Sequence, residues 1–238
     1  MCVAIIAAMD VEVERYLDRF TLEGSTQRAG LTVQEARWQG HNLVLVRTGV
    51  GKVNAAFCTQ LLIDLYAVDA VLCTGSAGAL DPALNIGDVV VATDCVQHDV
   101  QVDFMGLPRG QIPFTDLRFF ETHPELRRRA AAVTLADHSV QQGRVLTGDA
   151  FVEDEVQRRQ LREELAGDCV EMEGAAVGQV CAVNEVPYLV VRAISDHADG
   201  TSDIDFGAFL KEAARSSSEI VFRLLDTLDP EVALETIP

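Results

Sequence analysis

Val190-Val191-Arg192-Ala193-Ile194-Ser195-Asp196 is the stretch whose reading decides the fold. An apolar, β-branched run ends in an arginine, a serine and an aspartate. That pattern marks a buried strand delivering polar groups at its C-terminal end. In open α/β sheets, ligands bind beyond the carboxyl ends of the strands. Arg192 and Asp196 share parity, so in a regular strand they face one side of the sheet. A charge on a buried strand needs a partner or a task. A second polar cluster precedes it, Val170-Glu171-Met172-Glu173-Gly174-Ala175-Ala176, a carboxylate pair opening an apolar helix. With one helix between them, the two clusters read as two walls of one active site.

Outward from these clusters, strands and helices alternate. A first strand over Val3–Ala8 leads into a helix in which Val13, Tyr16, Leu17 and Phe20 fall at helical spacing. Glu12 therefore sits in its first turn. There an acid complements the helix dipole, and at the edge of a first strand it is also placed to serve a site. Strands over Leu31–Trp38 and Leu43–Arg47 flank a hairpin turn at Gln39-Gly40-His41-Asn42. Thr48-Gly49-Val50-Gly51-Lys52 is a glycine-rich strand-to-helix turn that fits neither a P-loop nor a dinucleotide fingerprint. A helix over Val53–Tyr66 precedes a buried strand, Ala70–Thr74. The strand empties into Gly75-Ser76-Ala77-Gly78, small residues that admit a ligand close to the backbone. After a strand over Asp88–Thr93, the segment His98–Pro113 follows neither period. Its length and its aromatic and methionine content make it a folded lid or an interface loop.

The rest reads as a helix (Pro124–Leu135), a strand and turn (Gly143–Phe151), a charged helix (Glu153–Leu165) and a short strand (Cys169–Met172). Then come a buried helix (Gly174–Val183), the strand Tyr188–Ser195, an acidic loop (Asp196–Asp205) and a long helix (Phe206–Leu225). This order predicts a single α/β domain over residues 1–238 around a central sheet, with a tail, Asp229–Pro238, that frays.

Composition bounds the function. The chain has 238 residues, of which 48% are hydrophobic, enough for one sizeable core. A formal net charge of −18 argues against nucleic acid as a partner, because phosphates call for Lys/Arg stripes. No apolar run approaches the ~20 residues of a membrane span, so no membrane partner is expected. Met1–Met9 is apolar but short and lacks a basic leader, so it reads as a strand and the protein as cytoplasmic. Six scattered cysteines, Cys2, Cys58, Cys73, Cys95, Cys169 and Cys181, form no CxxC pair and read as buried reduced thiols. Glu12, Ser76, Glu173, Arg192, Ser195 and Asp196 cluster at strand ends without a metal-ligand histidine group. That set suggests metal-free acid–base work with no cofactor. Ser195-Asp196-His197 is no catalytic triad, since adjacent side chains cannot converge that way. Asp196-x-x-Asp199-Gly200 lacks the ligand alternation of a calcium loop.

Five motifs occur in one order at compatible spacing: Thr48-Gly49-x-Gly51-Lys52, Thr74-Gly75-Ser76-Ala77-Gly78, Gly148-Asp149-Ala150-Phe151, Val170-Glu171-Met172-Glu173 and Val191-Arg192-Ala193-Ile194-Ser195-Asp196. Together, from Val3 to about Leu225, the chain resembles the 5′-methylthioadenosine/S-adenosylhomocysteine nucleosidases of the nucleoside phosphorylase superfamily. The resemblance implies a three-layer α/β/α sandwich around a mixed, barrel-like sheet, a homodimer, and hydrolysis of the N-glycosidic bond of adenine thioribosides. It implies Asp196 as the general acid at adenine N7 and Glu12 as the base that activates water, with Arg192 and Ser76 near that water and Ser195 among the substrate-binding residues. Glu173, beside Met172, matches the acceptor for the ribose diol. Phe151 and Val152 match the adenine-binding segment, alongside the small residues Ala77 and Gly78. Met9, Val50 and Phe206 match positions around the ribose and alkylthio group, and Pro113 one contributed across the dimer interface. In this scheme Asp196 must be protonated, which burial favours, and Glu12 ionised, which a helix N-terminus favours. Opposite protonation of two carboxyls is how acid and base are told apart.

Three rivals remain at the level of sequence. A phosphorylase of the same superfamily binds phosphate with arginines. Here Cys73 stands where the hexameric purine phosphorylases carry an arginine, and Met9-Asp10-Val11-Glu12 replaces their Gly-Asp-Pro-x-Arg turn. A carboxylate by the nucleophile repels phosphate by ~4 kcal/mol per unit charge at 4 Å and an effective dielectric of 20, so water is favoured. A futalosine hydrolase would use Asp196 equally well. A non-enzymatic nucleoside-binding protein is disfavoured because Glu12 and Asp196 are both present, although fold does not fix function. Phe104-Met105-Gly106 departs from the family, which often carries Phe at the Met105 position, so the alkylthio pocket stays apolar with its size open. Arg109 on the same loop could meet a homocysteine carboxylate.

Overall fold

The computed structural model describes residues 1–196 and 206–235, with the side chain of Phe206 outside that set. In chain order the elements are β1 (Cys2–Ala7), α1 (Asp10–Arg19), β2 (Thr21–Arg28), β3 (Leu31–Trp38), β4 (His41–Arg47), α2 (Lys52–Tyr66), β5 (Ala70–Ala79) and β6 (Val89–Gln97). They continue with β7 (Phe120–Glu121), α3 (Pro124–Ala131), β8 (Val140–Thr147), α4 (Glu155–Leu165), β9 (Cys169–Glu171), α5 (Gly174–Val183), β10 (Tyr188–Asp196) and α6 (Phe206–Thr227). The acidic loop read from the sequence falls, over residues 197–205, outside the described residues.

One sheet organises the chain. Strands β10-β6-β8-β9-β5 pair in that order, and β10 also pairs with β5, which closes a five-stranded barrel. The barrel is mixed: β10/β6 and β5/β9 are antiparallel, while β10/β5, β6/β8 and β8/β9 are parallel. From β5 the sheet runs on through β1, β4, β3 and β2.

The period of two along each strand sorts side chains onto two cores. In β1, Ala4 and Ile6 pack with Ala55, Cys58 and Leu62 of α2 and Ala175, Val177 and Cys181 of α5. Val3, Ile5 and Ala7 point the other way, to Val13 and Tyr16 of α1, Leu126 of α3 and Ile220 and Phe222 of α6. Helices on both faces make the three-layer α/β/α arrangement that the family resemblance implies. A third cluster seats Leu161 and Leu165 of α4 against Val96, Leu146, Val152 and Val170. In β10, Tyr188, Val190 and Ile194 face the α2/α5 side; Arg192 has their parity, which turns its guanidinium into the barrel end.

The sequence reading has no counterpart to β2 or β7, ends β6 at Thr93 and carries α3 on to Leu135. Strand β2 is almost wholly exposed, with the burial of only one of its eight residues rising to intermediate, so it offers no apolar alternation to read. The strand read as ending at Thr74 continues, as β5, through Gly75-Ser76-Ala77-Gly78. Its register against β10 runs from Val71 opposite Tyr188 to Gly78 opposite Asp196, and Gly78 also meets Val170 of β9. Backbone pairing on both sides supplies what small side chains cannot.

Beyond α6 the described residues, up to Glu235, stay against the body of the protein where the sequence reading has a fraying tail. The Met1 amino group donates to the Pro230 carbonyl, Leu234 packs on the α1/α6 core, and His123 Nε2 lies 2.8 Å from the Glu235 carbonyl oxygen. Among the described residues no helix is long and apolar enough to cross a membrane. All six cysteines are free thiols.

Candidate active site

Glu12 is the hinge between β1, α1 and β5. It is the third residue of α1, where a carboxylate can reach back to unpaired amides ahead of the helix. Its Oε2 accepts from the N–H groups of Ala8 and Met9, each at 3.0 Å. Its Oε1 accepts from Ser76 N–H at 2.9 Å and Ser76 Oγ at 3.1 Å. The side chain is 2% exposed. The capping reading and the site reading are therefore one arrangement: the carboxylate that starts α1 also faces the middle of β5.

Arg192 is 1% exposed and its charge is matched by acids from the β9–α5 junction. Its Nη2 pairs with Glu171 Oε2, lies 3.4 Å from Glu173 Oε2, and donates to Cys73 Sγ at 3.3 Å. Burial works against the guanidinium charge, but Glu171, Cys73, Glu173 and Glu12 outweigh it and raise its affinity for the proton. The Cys73 thiol is pushed up to about 12 by burial. Gly75 makes room for this cluster. A Cβ there would lie 2.4 Å from Arg192 Nη1 and 2.7 Å from Glu12 Oε1.

The sequence reading holds Glu171 only as one of a carboxylate pair in the site wall and gives it no role of its own. It is the last residue of β9 and 6% exposed. Besides Arg192 it accepts from Thr147 Oγ1 and from the N–H groups of Glu173 (2.9 Å) and Gly174 (2.9 and 2.8 Å). It thus caps α5 and anchors Arg192 at once. Glu173 makes fewer bonds to its own helix. Its Oε1 accepts from Gly51 N–H at 2.8 Å. Burial, reinforced by Glu171 and opposed by Arg192, raises its carboxyl from 4.5 to about 7.

These groups line one cavity of about 280 Å³. Of the residues singled out in the sequence, the cavity brings together Met9, Glu12, Val50, Ser76, Ala77, Gly78, Phe151, Val152, Met172, Glu173, Arg192, Ser195 and Asp196. Ala8, Ala150, Val170 and Glu171 complete the lining. Asp196 is 5% exposed, and Ser195 Oγ donates to its Oδ2 at 2.9 Å. At the mouth, Val50 is 48% and Phe151 52% exposed, so an apolar rim leads to a floor of carboxylates. Among the described lining residues four side chains are acids and one, Arg192, is a cation. Such a floor can hold a diol, accept a proton on one side and donate one on the other. Among the described residues no group of three His, Cys, Asp or Glu side chains is arranged to hold a metal ion.

Met105 and Pro113 do not line the cavity of this chain. Their segment folds away on its own bonds: a 3₁₀ turn at Asp103–Met105, and Gly110 N–H to the Val100 carbonyl at 2.9 Å. Arg109 is not at the pocket mouth. Its Nε donates to the His98 carbonyl at 2.5 Å and its Nη1 to Glu164 at 2.8 Å, so it braces the loop against α4.

The model of the phosphorylase superfamily matches residues 3–226, and the chain belongs to that superfamily. A 5′-methylthioadenosine/S-adenosylhomocysteine nucleosidase from Anoxybacillus flavithermus (strain DSM 21510 / WK1) is 37% identical over 231 residues, 96% of this chain and 100% of the relative. The crystal structure of the nucleosidase of that name from Colwellia psychrerythraea 34H, in complex with adenine, superposes with a TM-score of 0.92 at 36% identity, covering 98% of each chain. The futalosine hydrolase of Helicobacter pylori strain 26695 gives 0.89 at 30% identity, over 96% of this chain and 98% of its own. Within the superfamily the chain belongs to the 5′-methylthioadenosine/S-adenosylhomocysteine nucleosidase family and is an N-glycosidic hydrolase.

Proposed function

We propose that the enzyme hydrolyses the N-glycosidic bond of 5′-methylthioadenosine and S-adenosylhomocysteine, releasing adenine and the thioribose. The observation that carries this reading is the pairing, in one cavity, of Glu12 on the β5 side with buried Asp196 at the end of β10. Departure of adenine leaves positive charge on the sugar and negative charge on the base. Asp196 donates a proton to N7 of the leaving purine, a step typically worth ~10²–10⁴ in rate. Glu12 takes the proton of the attacking water. All of its oxygen lone pairs are met by donors, four for about four acceptor sites. Three of the donors are fixed backbone amides; the Ser76 hydroxyl is the one that can rotate away and yield its place to the water. Arg192 faces the same carboxylate across Gly75 and stabilises the negative charge that the nucleophile brings. Glu173 accepts from the ribose hydroxyls, and Phe151 and Val152 hold the adenine.

The same reading takes the enzyme as a cytoplasmic homodimer. Phe104 and Phe114, 89% and 94% exposed, support a partner surface at the loop that carries Met105 and Pro113. Six free thiols suit a reducing compartment. Sedimentation analysis at micromolar protein should return twice the chain mass; a monomer at all concentrations would remove the dimer.

The test of the reaction is adenine release from methylthioadenosine by purified protein, in phosphate-free buffer and again with phosphate, with the sugar product identified. Free methylthioribose without phosphate supports the hydrolase. Turnover only with phosphate, giving the sugar 1-phosphate, overturns it. The likeness to a futalosine hydrolase at 30% identity favours one second reading. Hypoxanthine release from futalosine, faster than adenine release from methylthioadenosine, would replace the first.

A further inference from the structure

Three segments distant in sequence meet beside the cavity: the start of α2, the end of β6, and the β8–α4 connection that carries Ala150, Phe151 and Val152. Lys52 joins them. Its Nζ donates to Asp99 Oδ1 at 2.7 Å and to Gln97 Oε1 at 3.1 Å. Its backbone N–H donates to Asp149 Oδ1 at 2.8 Å, and the Asp149 N–H donates in turn to Asp99 Oδ2 at 3.0 Å. The ring of contacts closes: Lys52 to Asp99, Asp99 to Asp149, Asp149 to Lys52. One residue before Lys52, Gly51 gives its N–H to Glu173.

The ring is built rather than incidental. Gly51 has φ of 103°, a backbone region that favours glycine, and a Cβ there would lie 3.2 Å from Asp149 Oδ1. Next to Asp149, Gly148 rests on the buried His98 ring, where a Cβ would lie 2.3 Å from Nε2. The Lys52 side chain is 18% exposed and Asp99 31%, so the ion pair is partly withdrawn from water. Asp99 is held below the usual carboxylate range: burial pulls it upward, but the Lys52 bond and the Asp149 amide more than offset that.

We propose that Lys52, with Asp99 and Asp149, is a clamp that fixes the Ala150–Val152 strip at a set distance from Glu173. Lys52 is on this view a positioning residue: it acts through the strip that takes the base and the carboxylate that takes the sugar diol. The proposal rests on the functional reading above, and it makes the spacing between base and ribose subsites a property of one lysine. Contacts to the base and the diol are made in the ground state as well as in the transition state. Loosening the clamp therefore weakens both alike, which raises KM and leaves kcat nearly unchanged.

The experiment compares Lys52→Met, Lys52→Arg and Asp99→Asn with the wild-type enzyme, reading kcat and KM for methylthioadenosine and the inhibition constant of free adenine. Lys52→Met should raise KM about tenfold, the loss of one charge-assisted contact or ~1.4 kcal/mol, with kcat within threefold. The adenine constant should rise with it. Lys52→Arg should recover most of the affinity, and Asp99→Asn should behave like Lys52→Met. Unchanged KM and adenine affinity in a folded Lys52→Met or Asp99→Asn overturn the clamp, as does an equal fall in kcat with KM untouched. A wild-type enzyme that cleaves no adenine thioriboside overturns the functional reading first, and the clamp with it; wild-type turnover with indifferent variants overturns the clamp alone.

Discussion

Glu171→Gln tests the charge balance of the site most directly. Both members of the Arg192–Glu171 pair have side chains 2% exposed, so solvent screening gives no relief. Removing one partner of a buried pair costs about 3–5 kcal/mol where the other charge is left uncompensated; Glu173, 3.4 Å from the same nitrogen, keeps part of the Arg192 charge matched, so the low end applies. Glutamine keeps the shape and removes only the charge, but it fits poorly in either orientation. Every group around the carboxylate is a donor: Arg192 and Glu173 N–H on Oε2, Thr147 Oγ1 on Oε1, and Gly174 N–H on both. In one orientation the new NH₂ points at the Arg192 guanidinium and the Glu173 amide; in the other it faces the Gly174 amide and turns the Thr147 hydroxyl from donor to acceptor. For a chain of this size ~1 kcal/mol moves Tm by roughly 2–4 °C, so a loss of about 3 kcal/mol should make the variant melt about 6–12 °C lower. The measurement is thermal unfolding by circular dichroism at pH 7, with Glu23→Gln as control. That residue's pair with Arg37 is 47% and 54% exposed, and an exposed pair is worth ~0–1 kcal/mol. A fall below about 4 °C for Glu171→Gln, no larger than the control, would refute the claim that Glu171 holds Arg192.

Asp196→Asn should keep the fold and the affinity for adenosine analogues while losing at least ~10² in kcat; near-full activity would remove the acid assignment. Gly75→Ala places a Cβ 2.4 Å from Arg192 Nη1 and 2.7 Å from Glu12 Oε1. Its kcat/KM should fall by more than about tenfold, and wild-type kinetics in a folded variant would show that the two groups are not needed where they stand. The pH dependence of stability should carry the signature of Glu173, whose carboxyl is raised by burial from 4.5 to about 7. Between those values the folded chain binds more protons than the unfolded one, so stability falls as pH rises through the window. Glu173→Gln abolishes that slope. Its Tm relative to wild type should therefore improve from pH 5 to pH 8, and a constant difference would contradict the raised value.

The parts of the site that the sequence discloses are those where a residue breaks a local pattern. Arg192 and Asp196 stand out because they interrupt an apolar strand, and Glu12 because helical spacing puts it in a first turn. Glu171 breaks nothing. It lies beside Glu173 in the same short acidic motif, and its importance comes from Thr147 and Arg192, residues brought to it only by the β8–β9 pairing and the closure of the barrel. One signal was available: two carboxylates at a helix start with no neighbouring lysine demand a cation from elsewhere, and the only arginine in the buried strand is Arg192. The polar strand β2 and the loop brace made by Arg109 had no comparable signal, since exposed strands lose their alternation and long-range ion pairs have no spacing.

The same charge balance bears on why water rather than phosphate should be the nucleophile. Among the described residues around the cavity, Glu12, Glu171 and Glu173 surround a single guanidinium, Asp196 being the proton donor of the proposed reaction. That guanidinium is already paired with Glu171 and also close to Glu173 and Cys73. Where a phosphate-binding arginine would stand there is a buried neutral thiol, Cys73. An incoming phosphate would find that guanidinium's charge already matched by Glu171 and Glu173, and each carboxylate left unmatched, Glu12 first, would oppose it by ~4 kcal/mol at 4 Å and an effective dielectric of 20. A water molecule carries no such penalty and can take the place of the Ser76 hydroxyl on Glu12. Introducing a cation alone, as in Cys73→Arg, should not create a phosphorylase while Glu12 remains. It should do so only if the carboxylate that repels the phosphate is also removed, because the selectivity lies in the sum of the charges and not in any one residue.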